Sequence, residues 1–195
     1  MRWASARAGE DAPGLALAEV LVAIAVVVTF AAGVLPLFVT TRGALDEAHG
    51  ATMSAVLARS KLDQLRSLPW TYRIDPLGVL WAVADETTDL SSDPPSQSGQ
   101  GLRPSTPDNL WNNAAGYADF LDEQGAWLGG GVSPPPACRY VRRWAVSEFP
   151  GDPETLVLQV RVVPVRGPSD VAVGPLPGAR RGDTWLVSLL TRTRP

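Results

Sequence analysis

The sequence predicts an α+β fold, a long N-terminal helix laid on a C-terminal antiparallel sheet, and three observations carry that prediction. Residues 15–39 are apolar apart from Glu19 and Thr29. Residues 45–68 then repeat apolar side chains every three or four positions, which is the period of a helix lying on a surface. Near the C-terminus, three runs rich in Val, Leu, Tyr and Trp alternate in the manner of strands,.

Residues 1–14 (MRWASARAGEDAPG) are short and polar, with Arg2 and Arg7 early and Glu10, Asp11 and Pro13 just before Gly14; they read as a leader. The apolar stretch that follows, about 25 residues, would extend roughly 37 Å as helix and so cross a bilayer. Pro36 lies near its far end, where an interior proline removes one helix hydrogen bond and favours a kink. Residues 15–41 are therefore expected to form a transmembrane segment, and residues 42–68 an amphipathic continuation. Its apolar stripe is expected at Leu45, Ala48, Ala51, Ala55, Ala58, Leu62, Leu65 and Leu68. Asp46, Glu47, Arg59, Lys61, Asp63 and Arg66 are expected on the opposite side. Gly43 and Gly50 weaken the middle by about 1 kcal/mol each relative to alanine, and Pro69 ends the helix. The whole rod is expected to run for about 54 residues, roughly 80 Å.

Residues 69–195 make up the head. Between 69 and 138 no period is sustained, and Pro94-Pro95, Gly129-Gly130-Gly131 and Pro134-Pro135-Pro136 stand among Ser, Asp and Asn. Long loops are expected there, with a short helix near 114–121 and a flexible linker at the glycines. Strands are expected at 139–147, 155–165 and 184–192, forming a meander. Tyr140, Arg142, Trp144 and Val146 share one face of the first, and Leu156, Leu158, Val160 and Val162 one face of the second; these faces are expected to pack on the helix stripe.

Composition narrows the function. A formal net charge of −3, with arginines dispersed among acids, provides no basic face for nucleic acid. Cys138 is the sole cysteine, so neither an intrachain disulfide nor a cysteine metal cluster can form, and no metal or other cofactor is expected. Asp46-Glu47-Ala48-His49 spells a helicase-like box, but the chain has no phosphate-binding G-x-x-x-x-G-K-[ST] loop and its only lysine is Lys61,. His49 is the only histidine and sits on an expected exposed helix, which argues against a Ser-His-Asp relay. The chain is not expected to be an enzyme. The tryptophans at 70, 81, 111, 127, 144 and 185 are read as core or loop anchors before ligand-stacking groups.

The run Gly14-Leu15-Ala16-Leu17-Ala18-Glu19-Val20-Leu21-Val22-Ala23-Ile24 resembles the N-terminal signal of type IV pilins and type II secretion pseudopilins. In that pattern a polar leader ends in Gly, and a Glu stands fifth in the long apolar helix that follows. Gly14 matches the residue before the cut, Leu15 the new amino terminus and Glu19 the fifth-position glutamate. Pro36 falls where many members also have proline. The family more often has Phe at the place of Leu15 and Thr at that of Leu17. The helix followed by a late Tyr140-x-Arg142-x-Trp144 strand looks most like the minor pilin V or pseudopilin I branch.

The resemblance implies a structural subunit of the inner membrane, single-pass, with its head in the periplasm or on an extracellular filament. A prepilin peptidase would cut after Gly14 and methylate the amine of Leu15. An assembly ATPase and a platform protein would then draw the subunit from the lipid into a pilus or pseudopilus beside other pilins or pseudopilins, with Glu19 and Pro36 serving assembly. The competing expectation is a membrane-anchored periplasmic binding module whose helix is only a tether.

Overall fold

The computed structural model describes residues 13–165 and 182–193; most of the expected leader and most of the 166–183 connection lie outside them. One helix, α1, spans Pro13–Ser67, 55 residues. Pro13 suits its first position, where the missing N–H would have had no intrahelical partner. Pro36 lies inside and has no amide to offer the preceding turn. One residue on, the Leu37 carbonyl accepts bonds from the hydroxyls of both Thr40 and Thr41, at 2.9 and 2.8 Å. At the far end Pro69 disfavours helical geometry for Leu68, whose amide reaches back to the Leu65 carbonyl in a tightened last turn.

The chain divides into two compact units, Met1–Asp46 and Glu47–Pro195. In the second, the last turns of α1 are followed by β1 (Trp70–Ile74), β2 (Leu80–Ala84), a 3₁₀ turn (Pro107–Leu110), β3 (Ala118–Leu121), β4 (Trp127–Gly130), β5 (Tyr140–Phe149), β6 (Asp152–Pro164) and β7 (Thr184–Thr191). β1 and β2 form a hairpin, and the rest an antiparallel sheet in the order β4-β3-β5-β6-β7. The expected three-strand meander is thus β5-β6-β7. Its first hairpin turns at Pro150-Gly151, where Gly151 adopts φ 86°, a left-handed conformation that favours glycine.

The core lies between α1 and the sheet. Leu57, Ala58, Leu62 and Leu65 pack with Tyr140, Trp144 and Val146 of β5 and with Leu156, Leu158, Val160 and Val162 of β6, the strand faces the alternation marked. The helix stripe needs correction. Leu45, Ala48 and Ala55 are exposed, and the buried register is Ser54, Leu57, Ala58, Lys61, Leu62 and Leu65. Leucines decide this, since each removes far more apolar area from water than an alanine. Deleting to residue 69 removes all six of these helix side chains. A 69–195 fragment should therefore aggregate on size exclusion where 42–195 runs as a soluble monomer; equal solubility and stability of the two would mean the helix adds nothing to the core.

Lys61 is the largest departure from the expected polar face. It is 1 % exposed, its Nζ lying 2.9 Å from Asp119 Oδ2, 2.6 Å from the Leu90 carbonyl and 4.5 Å from the centre of the Trp144 ring. Asp119 also accepts two bonds from Arg142, Nε to Oδ1 at 2.9 Å and Nη2 to Oδ2 at 2.8 Å. Two cations thus share one buried carboxylate. Burial, helped by the like charge of Arg142, outweighs the attraction of Asp119 and lowers the Lys61 pKa to about 8. Between about pH 8 and the ordinary value of 10.5 the unfolded chain binds this proton and the folded chain sheds it, so stability should rise with pH in that window. Urea titrations at pH 7.5 and 10 should show wild type gaining on Lys61→Met across the window. A constant difference would mean that Lys61 titrates normally.

Two further expectations are corrected. Residues 114–121 do not form a helix, because Ala118–Leu121 is β3, paired on both sides and with all four residues buried. A strand covered on both faces has no polar alternation to reveal it. The glycines at 129–131 are not a linker: Gly129 and Gly130 belong to β4, and a Cβ on Gly130 would stand 2.5 Å from the Ser91 carbonyl oxygen.

Candidate functional site

The candidate assembly surface is the first unit's portion of α1. A continuous helix satisfies its own backbone, so its side chains decide what surrounds it. From Leu17 onward they are exposed all round: Val20, Leu21, Val22, Ile24, Val26, Val27, Val28, Leu35, Leu37 and Phe38 stand open, with Phe30 at 71 % and Val39 at 72 % exposure. The helix is long and apolar enough to cross a membrane, and none of its most apolar stretch is buried within the chain. Water is a poor solvent for such a surface; lipid or neighbouring helices must cover it.

The sequence-marked residues share the start of this helix. Gly14 and Leu15 lie in its first turn, and Glu19 follows Leu15 by four residues, the spacing that brings helix positions onto one face. Glu19 is exposed and is the only ionisable side chain among residues 15–39. A carboxylate at the centre of a bilayer-spanning helix costs about 2.5–3.5 kcal/mol, and one nearer its end, like Glu19, costs less. A free amine on Leu15 would supply an opposite charge one turn, about 6 Å of rise, away. Pro36 lies on the same helix but five turns further on, so the structure does not bring it to Glu19.

The second unit offers little of the usual chemistry. Among the described residues no group of His, Cys, Asp and Glu could hold a metal ion. His49 is exposed on α1. Cys138 is buried and free, its thiol donates to the Tyr140 carbonyl at 3.3 Å, and burial pushes its pKa up, away from thiolate reactivity. The tryptophans divide. Trp144 is core, whereas Trp111 and Trp185 meet edge to face at 6.1 Å, and Trp70 lies under the Arg192 guanidinium at 3.7 Å. Residue-by-residue reading missed the Lys61–Asp119–Arg142 cluster. The signal was present: Lys61 stands four positions from both Leu57 and Leu65, on their face of the helix.

No family model matches this chain, and neither any curated protein nor any solved structure does.

Proposed function

We propose that this chain is a type IV pilin-like prepilin, a minor pilin or type II secretion pseudopilin whose function is assembly. One observation supports this reading above the others: residues 15–39 of α1 are apolar save Thr29 and a single carboxylate, and that carboxylate, Glu19, stands one turn beyond the Gly14–Leu15 junction. A tether has no use for that carboxylate, since an all-apolar helix would insert more readily. A filament has. After a prepilin peptidase cuts behind Gly14, the Leu15 ammonium of one subunit pairs with Glu19 of the same or the next, and the pair fixes the axial register of packed helices. Buried pairs of this kind serve register more than raw stability.

On this reading the uncut subunit is stored in the inner membrane with residues 69–195 in the periplasm. A platform protein and its ATPase then draw it into the filament, where other pilins or pseudopilins replace lipid around residues 15–39. Shearing cells that express the protein tests the proposal. A filament or pseudopilus fraction containing it beside other subunits is the expected result; protein confined wholly to the membrane fraction, in cells whose other subunits do assemble, would favour the tether.

A further inference from the structure

The head carries a cavity of about 440 Å³ between the loop at 89–100 and β4, within the size range of small-ligand sites, about 300–1,000 Å³. Its walls include Asp89, Ser91, Ser98, Gln100, Trp127 and Gly130. These walls are braced. Trp127 Nε1 donates to the Ser91 carbonyl at 3.0 Å, which fixes the indole, and Ser91 donates to Asp89 Oδ1 from its amide at 2.8 Å and its hydroxyl at 2.7 Å. The backbones of Asp89 and Ser96 exchange two bonds, at 2.7 and 3.2 Å. Glycines let the walls close up: a Cβ on Gly99 would lie 2.1 Å from the Asp89 Cα, and one on Gly130 2.5 Å from the Ser91 oxygen. Ser98 is held at φ 74°, a conformation that side chains other than glycine's adopt seldom and that surrounding structure must enforce.

The lining chemistry selects a ligand class. Trp127 retains 36 % exposure, so its ring offers apolar area beside hydroxyls, a primary amide and a carboxylate. Among the described residues no lysine, arginine or histidine lines the space, so an anion would meet Asp89 without a counter-charge from them. A lipid or flat aromatic would take water from the Asp89 carboxylate, the Ser98 hydroxyl and the Gln100 amide without bonding to them, which is costly. A pyranose satisfies both parts, placing its C–H face on the indole while its hydroxyls bond donors and acceptors of the Ser, Gln and Asp kind. We propose that this cavity binds a neutral sugar unit of an oligosaccharide. The proposal stands on the head alone, whether the helix serves a filament or a tether.

The test uses the full chain in lauryldimethylamine oxide micelles, a detergent without a sugar headgroup, titrated calorimetrically with chitotetraose, cellotetraose and maltotetraose. At least one should bind with a millimolar or tighter Kd. Trp127→Ala and Gln100→Ala should each weaken that binding by about tenfold, equivalent to ~1.4 kcal/mol, whereas Trp185→Ala, at an exposed tryptophan outside the cavity, should leave it unchanged. Gln100→Ala guards against a Trp127 variant that fails to fold. The proposal is overturned if none of the three sugars binds, if either cavity variant binds within about threefold of wild type, or if Trp185→Ala abolishes binding.

Discussion

Replacing Glu19 by Val is expected to remove the protein from the sheared-filament or pseudopilus fraction while it accumulates in the inner membrane. The two environments ask opposite things of this carboxylate. In lipid, its loss relieves a cost of at most about 2.5–3.5 kcal/mol, the value at the bilayer centre, so insertion is unimpaired or improved. In a helix bundle, the same loss strands the Leu15 ammonium among apolar side chains, which commonly costs about 3–5 kcal/mol. Glu19→Asp keeps the charge with shorter reach and should assemble in part, whereas Glu19→Gln should behave more like Val. The comparison is the ratio of filament to membrane fraction for the four proteins at matched expression. Normal incorporation of the Val variant would remove Glu19 from any role in registering subunits.

Replacing Asp119 by Asn should be the most damaging single polar change in the head, lowering its unfolding free energy by about 3–5 kcal/mol. Asp119 is the one carboxylate among the described residues that forms ion pairs with both Lys61 and Arg142, all three being buried, so its loss leaves the guanidinium and the ammonium over the Trp144 ring without that shared partner. Lys61→Met is different. It preserves the two-bond Arg142–Asp119 pair and removes the charge that burial already disfavours, so it should be neutral or stabilising, though the Leu90 carbonyl loses its donor. Urea unfolding of the 42–195 fragment measures both. An Asp119→Asn variant as stable as wild type would mean that the cluster is hydrated and contributes little.

What the sequence disclosed follows from where a period was present. The helix was legible because residues 15–39 are apolar without interruption save Glu19 and Thr29, and because Pro69 marks its end. β5 and β6 were legible because their neighbours differ across the sheet: one face meets α1, and residues such as Arg143, Val157 and Gln159 remain partly open on the other. β3 was not, since both of its faces are covered. β4 was masked by its glycines, and the purpose of Gly130, room for the Ser91 backbone, depends on a contact between segments nearly 40 residues apart. Lys61 escaped because a charge reads as solvent-facing until a partner distant in sequence, here Asp119, makes its burial tolerable. The residues proposed to serve assembly were legible as a motif, Gly14, Leu15, Glu19 and Pro36 at fixed spacings. The cavity proposed to bind sugar had no motif at all, being built from a loop and a strand that only folding brings together.

On the proposed reading, Gly14–Leu15 is a processing junction and Glu19 exists for the amine it releases. Intact-mass measurement of the protein extracted from membranes tests this most directly. The expected mass is that of a chain beginning at Leu15, lacking residues 1–14 and carrying one added methyl group. A chain beginning at Met1, or at Val26 after the small residues Ala23 and Ala25, would contradict it.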